Sequence, residues 1–147
     1  MPTDAETMRS NNTTRIEMEL LARLGHFFEQ VRADADFTTF ASELRRHQVS
    51  YYIYFVSTGN MNFVMANDEV ISIKSARGLL RVRSAPSHRL TSAAVIRHFA
   101  GAINFEQYCK DLASAGVFKW SVDLDEETRH YWSKDNTLLY KESLMPP

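Results

Sequence analysis

Apolar residues recur at helical spacing near the start of the chain and alternate with polar residues further on. Between Asn12 and Val31 they recur every three or four positions, which predicts a helix. A second helix is predicted after Asp36, a suitable N-cap residue. Its inward side chains are expected to be Phe37, Phe40, Ala41 and Leu44. Strands are predicted next at 50–56, 61–65, 70–74 and, more briefly, 79–83.

The second half of the chain predicts a similar order of elements. A helix is expected to open at Thr91 or Ser92, and Asn104 with Gln107 resembles a capping box for the next helix. Gly116 suits the left-handed position that ends a helix. The strands predicted after it cover 118–124, 128–132 and 137–140.

Residues 36–70 and 104–138 align without a gap at an offset of 68. The matched pairs include Phe37 with Phe105, Leu44 with Leu112, Tyr52 with Trp120, and Phe63 with Tyr131. We interpret the chain as one module written twice. The predicted fold class is α+β, with an internally duplicated helix-helix-strand-strand-strand unit and an antiparallel sheet packed against helices.

The length of 147 residues suits one domain. Residues 1–12 are polar and are expected to be disordered. We place repeat one at about 13–83, a linker at 84–90 and repeat two at about 91–142.

One strand face of the first repeat is unusually apolar. After Gly116 the outward positions are Lys119, Ser121 and Asp123. Under the offset, the corresponding outward residues are Tyr51, Ile53 and Phe55, while Ser50, Tyr52, Tyr54 and Val56 point inward. Three explanations remain for what covers this face: the N-terminal helix, a second copy or another protein, or a small molecule in a pocket lined by Tyr51, Phe63 and Met65.

The charges are distributed unevenly, although the net charge is −1. The segment from Val70 to Phe105 has no acidic residue. It carries six bases: Lys74, Arg77, Arg81, Arg83, Arg89 and Arg97. These bases suit internal ion pairs, an acidic protein partner or phosphates. Nucleic acid is disfavoured, because domains that bind it are usually strongly basic.

Composition favours a soluble cytoplasmic protein. The single cysteine, Cys109, cannot form an internal disulfide and fits a reducing compartment. No apolar run reaches the roughly 18 residues of a membrane span, and no charged-then-apolar leader is present. We therefore expect neither membrane insertion nor export.

A motif in the second half of the chain carries a family resemblance. The motif comprises Tyr108, Cys109, Lys110, Asp111, Leu112 and Ala113, then Gly116 and Val117, then Lys119, Trp120, Ser121, Val122 and Asp123. With it, the chain resembles the YbcV-like family, small bacterial and prophage proteins of unknown function that are often labelled phage envelope proteins. The resemblance implies a fold and no activity. One departure is Gln48, where family members tend to carry glycine.

Candidate chemistry is sparse. Cys109 faces the predicted core, where a thiol is inert, and the five histidines show no metal-ligand spacing. Asp111 and Asp123 are expected to form structural pairs, Asp123 with Lys119. Glycine-rich phosphate loops are absent from the sequence. We expect no metal and no cofactor, and an enzyme is disfavoured.

The sequence therefore favours a non-catalytic binding or interaction module. The surfaces expected to carry it are Tyr51, Ile53 and Phe55 on the sheet, and Arg77, Arg81, Arg83 and Arg89 on the connector. A homodimer or a protein partner is expected. Two alternatives stay open: a small-molecule or enzymatic pocket between the repeats, and nucleic-acid binding through residues 74–97.

Overall fold

Six antiparallel strands and two complete helices form the described part of the molecule. The structure is a computed structural model that describes residues 19–21, 23 and 41–144. The strands are β1 (Val49–Phe55), β2 (Met61–Met65), β3 (Val70–Ile73), β4 (Lys119–Asp123), β5 (Thr128–Trp132) and β6 (Leu138–Ser143). The helices are α1 (His88–Phe99) and α2 (Phe105–Ser114). Residues 19–21, 23 and 41–46 are also helical. The predicted α+β class is confirmed.

The sheet has the order β3-β2-β1-β4-β5-β6, so the first strand of each half lies at its centre. Ile53 of β1 lies opposite Ser121 of β4, its counterpart at the offset of 68. The hairpin registers also correspond: Tyr52 pairs with Phe63 in the first half, and Trp120 pairs with Tyr131 in the second. Descent of the two halves from one module stays a prediction.

The core lies between the helices and one face of the sheet. Alternation along the strands turns Tyr52, Tyr54, Trp120 and Tyr131 inward, and all four are buried. The rings of Tyr54 and Trp120 stack with centroids 4.3 Å apart, directly across the two central strands. The helices add the following buried residues: Leu21, Ala41, Leu44, Val95, Tyr108, Cys109 and Leu112.

Helix α1 begins earlier than the sequence indicated. The hydroxyl of Ser87 accepts the N–H of Leu90 at 3.1 Å, so Ser87 is the N-cap and the helix opens at His88. Residues 88–90 of the predicted linker 84–90 thus belong to the first turn of this helix. In α2, Asn104 caps the N–H of Gln107 at 2.8 Å as predicted. The side-chain NH2 group of Gln107 donates to a carboxylate oxygen of Asp111, one turn further along the helix, at 2.8 Å.

Two strand predictions were wrong. Residues 79–83 form no strand, although the N–H of Leu80 donates a hydrogen bond to the carbonyl of Ser57. In β1, a register shift between Val49 and Tyr51 buries Val49 in the place predicted for Ser50. Residues 1–18 and 24–40 lie outside the described residues, and the predictions for 1–12, Asp36, Phe37 and Phe40 fall there.

Gly116 is required by both its conformation and its surroundings. Its φ angle is +87°, which confirms the predicted left-handed position. An added Cβ would lie 2.6 Å from the backbone Cα of Pro86. The connector before α1 therefore packs directly against the end of α2. In the described part of the chain, no helix is both long and apolar enough to cross a membrane.

Candidate binding face of the sheet

The outward residues of β1 lie where the alternation predicted them. Tyr51 is 37% exposed, and Ile53 and Phe55 are half-buried. Their neighbours on β4 are polar: Tyr51 lies opposite Asp123, Ile53 opposite Ser121 and Phe55 opposite Lys119. The described N-terminal helical residues Leu20 and Leu21 pack in the core on the other face. The outer sheet face therefore combines large apolar side chains of β1 with charged and hydroxyl groups of β4.

A groove of about 270 Å³ opens on this face. Its lining consists of Tyr51, Ser121, Asp123, Glu126, Thr128, His130 and Trp132. We call these seven residues the aromatic groove. They come together because outward positions form rows across the sheet: Asp123 lies between Tyr51 and Thr128, and Ser121 lies opposite His130. Tyr51 comes from the first half and the other six residues from the second.

The tryptophan of the groove is fixed by its neighbours. The indole N–H of Trp132 donates to the hydroxyl of Ser121 at 3.0 Å. The ring of His130 lies nearly parallel to that of Trp132, with an interplanar angle of 13° and centroids 5.8 Å apart. Rings held in this way keep one orientation when a ligand arrives, so less conformational entropy is lost on binding.

Two carboxylates make the groove acidic. One oxygen of Asp123 accepts the N–H groups of Asp125 and Glu126, at 2.9 and 2.8 Å, and so holds the turn before β5. The predicted pairing of Asp123 with Lys119 is thus replaced by a turn contact. Burial and then the charge of Lys141 lower the pKa of His130, while Glu126 and Asp123 act in the opposite direction. His130 is therefore neutral at neutral pH, and the lining carries two negative charges.

The four arginines of the predicted connector surface do not act together. Arg77 is partly buried, and its guanidinium donates to the carbonyl of Val56. Arg81 and Arg83 are exposed on either side of the buried Val82. Arg89 is exposed in the first turn of α1. Arg81 and Arg83 therefore lie on the same stretch of surface, whereas Arg77 is engaged by the carbonyl of Val56 within the fold.

Most of the family-motif residues lie in the core or in contacts between elements. Cys109 is buried, as predicted, with its sulfur 3.8 Å from the hydroxyl of Tyr54. Asp111 lies 3.7 Å from the guanidinium of Arg97 and joins α2 to α1. Tyr108 and Trp120 lie in the core with ring centroids 5.4 Å apart. Among the described residues, no group of three or more candidate ligands could hold a metal ion.

A buried polar network was missed by the sequence reasoning. The hydroxyls of Tyr108 and Tyr131 form a short hydrogen bond, and Tyr131 also donates to Glu142 at 3.2 Å. Arg129, 2% exposed, pairs with Glu142 at 3.2 Å and lies over the ring of Phe99 at 5.1 Å. The available signal was an arginine at an inward position of β5. We call the network the buried arginine cluster.

Five groove residues were also missed as site residues: Ser121, Glu126, Thr128, His130 and Trp132. His130 and Trp132 occupy alternate positions of β5, outward under the predicted alternation, so a signal for them existed. Glu126 lies in the turn, and its approach to Tyr51 depends on the adjacency of β1 and β4. That adjacency joins strands far apart in sequence.

Comparisons with known proteins place the chain in a family. Residues 25–143 match the family described as "Protein of unknown function (DUF1398)". The chain is 38% identical over 117 residues to uncharacterized protein YcgX of Escherichia coli, covering 80% of this chain and 87% of that protein. It is also 38% identical over 127 residues to uncharacterized protein YbcV of the same organism, covering 86% and 93%. The predicted YbcV-like resemblance is confirmed: the chain belongs to the DUF1398 family.

Proposed function

We propose that this protein is a non-catalytic binding module that holds a basic side chain of a protein partner in the aromatic groove. The observation that carries the proposal is the composition of the lining. Two aromatic residues, Tyr51 and Trp132, share the groove with the carboxylates of Asp123 and Glu126. Aromatic faces and carboxylates both attract a guanidinium or ammonium group.

The charge balance supports a cation over an anion. None of the seven lining residues is a lysine or an arginine, and His130 is neutral because its pKa is lowered. Lys119 and Lys141 occupy neighbouring outward positions, opposite Trp132 and His130, and lie outside the lining. An acidic groove between flanking lysines favours one inserted basic side chain over a long basic stretch.

The apolar residues beside the groove support a protein partner over a free small cation. Phe55 packs edge-to-face with Phe118 at 6.0 Å, and Ile53 lies between this pair and Tyr51 along β1. A partner chain that inserts a basic residue would cover these side chains at the same time. Aromatic and apolar centres of this kind are typical of protein interfaces.

The test uses the indole N–H signal of Trp132 in ¹⁵N-resolved NMR spectra. The chain has two tryptophans, and Trp120 is fully buried, so its indole signal serves as an internal reference. Titration with N-acetyl-arginine amide is expected to shift the Trp132 signal and leave Trp120 in place. N-acetyl-citrulline amide, which has nearly the same shape but no charge, is expected to shift it far less.

Glu126→Gln supplies the matched variant, with Asp125→Asn as its control in the same turn. Asp125 is exposed and lies outside the groove lining. Weaker arginine binding in the first variant, with little change in the second, would support the proposal. Equal shifts with citrulline, or equal losses in both variants, would overturn it.

Light scattering identifies the source of the basic side chain. A second copy as the partner would give a solution mass of twice 16.9 kDa, which Glu126→Gln would lower. A mass of 16.9 kDa for the unmodified chain would exclude a second copy as the source. The prediction of an enzymatic or small-molecule pocket across the two halves remains the alternative.

A further inference from the structure

A second groove, separate from the aromatic groove, lies beside the end of α2. It has a volume of about 420 Å³. Its lining is Arg81, Val82, Arg83, Ser84 and Ser114. We call it the arginine groove. It shares no lining residue with the aromatic groove, and its charge has the opposite sign.

The backbone under the two arginines is held firmly. The N–H of Arg83 donates to the carbonyl of Ala113 at 2.9 Å, and that of Ser87 donates to Ala115 at 2.8 Å. Val82 is buried between the two arginines. Both guanidiniums therefore leave an anchored segment, from alternate positions. This arrangement lowers the entropy lost when one ligand engages both side chains.

Arg81 and Arg83 are not among the bases that form ion pairs in the described part of the chain. The ion pairs there use the bases Arg45, Arg46, Arg97, Lys110 and Arg129. Arg81 and Arg83 form no ion pair with any described carboxylate, and no acidic residue lines their groove. The expectation that internal acids neutralise the connector is thus not met for this pair within residues 41–144.

We propose that the arginine groove binds a phosphate monoester. Two guanidinium forks and the hydroxyls of Ser84 and Ser114 offer more donors than the two oxygens of a carboxylate can use. A terminal phosphate has three acceptor oxygens and carries a charge of −1.5 to −2 at neutral pH, which suits paired arginines. A nucleic-acid strand is a poorer fit, because its affinity comes from many phosphate contacts and this groove supplies two bases.

The experiment measures phenyl phosphate binding by calorimetry on the full chain. Arg81→Gln with Arg83→Gln is expected to weaken binding at least about tenfold, since each replacement removes a charged hydrogen bond. Both side chains are exposed, so the double variant is expected to fold normally, as circular dichroism would verify. The matched control is Arg89→Gln, an exposed arginine outside the groove, which should bind as the unmodified chain does.

The dependence on pH adds a second readout. Phenyl phosphate should bind more tightly above pH about 6, where its second proton is lost. Phenyl sulfate, a permanent monoanion, should bind more weakly and show no such change. Unchanged binding in the double variant, an equal loss in Arg89→Gln, or equal binding of phenyl sulfate would overturn the proposal.

Three further probes separate the sources of the phosphate. Glycerol phosphate represents a metabolite, a phosphoserine peptide represents a modified protein, and an oligothymidine without terminal phosphates represents nucleic acid. Binding of either monoester supports the site and identifies its source. Binding of the oligothymidine with equal affinity would contradict a monoester site. None of these results depends on arginine amide binding to the aromatic groove.

Discussion

Gln48 and Gly116 occupy equivalent left-handed positions, with φ angles of +69° and +87°. They are 68 residues apart, and each precedes the first strand of its half, which lies at the centre of the sheet. Glycine adopts this conformation freely, whereas glutamine must accept a steric cost. Two further pairs at the same separation share positive φ angles: Gly59 with Glu127, and Asp68 with Asn136. Similar turn geometry in the two halves has thus been built with different side chains.

Replacing Gln48 with glycine is expected to stabilise the protein by about 0.5–1 kcal/mol, measured by urea unfolding. The side chain is exposed, and the backbone contacts of this residue with Arg45 and Ala66 do not need it. Gly116→Ala should act in the opposite direction by about 2 kcal/mol, because the new Cβ would meet Pro86. A loss of stability in Gln48→Gly would contradict this account.

Glu142→Ala is expected to destabilise the protein by about 3 kcal/mol, because it removes the carboxylate that faces the buried guanidinium of Arg129. In the first half the position equivalent to Arg129 is Met61. The double variant Arg129→Met, Glu142→Leu should therefore recover most of the lost stability. Chemical unfolding measures both. A double variant less stable than Glu142→Ala would show that the buried arginine cluster stabilises the fold by more than the mutual neutralisation of Arg129 and Glu142.

The unfolding free energy should fall with rising pH above about 10 because of Tyr131. Burial, and next the proximity of Tyr108, raise the pKa of this phenol well above its usual value of 10.0. Its stabilising contribution is complete below pH 10 and is lost as the pH rises through the folded pKa, since the unfolded chain releases the proton first. In Tyr131→Phe the slope should be shallower by about 1.4 kcal/mol per pH unit. An unchanged slope would contradict this assignment.

His130 should titrate below pH 6.5, as followed by the NMR signal of its ring. Lys141→Gln is expected to raise the pKa of His130 and Glu126→Gln to lower it, since these charges act in opposite directions. The contribution of His130 to stability is present above pH 6.5 and is lost as the pH falls through the folded pKa. If both variants moved the pKa in one direction, the charge arrangement described for the groove would be wrong.

Ile53→Lys should leave the fold intact and abolish binding of a protein partner to the outer sheet face. Ile53 lies on that face opposite Ser121, so a lysine there can reach solvent. Val122→Lys, at a fully buried position on the neighbouring strand, should cost several kcal/mol in thermal unfolding. If Ile53→Lys unfolds as readily as Val122→Lys, the face is core and carries no interface.

Much of the fold could be predicted because its causes are local. Alternating side chains set the faces of β1 and β4, so Tyr52 and Trp120 point inward as expected. The N-cap at Asn104 and the left-handed Gly116 depend on a few neighbouring residues. The segment 79–83 misled the prediction because its alternation comes from Val82 inserting into the core, with no partner strand beside it.

Local patterns in the sequence were thus enough to predict the α+β class, the order of most elements and which β1 residues face outward. The pairing of β1 with β4 is a property of the folded chain, and it places Tyr51 next to Asp123 and forms the aromatic groove. Folding also brings Arg129 to Glu142, and Arg83 to the end of α2. Backbone preference and side-chain alternation act over a few residues, whereas strand pairing and charge burial depend on groups that meet once the chain has folded.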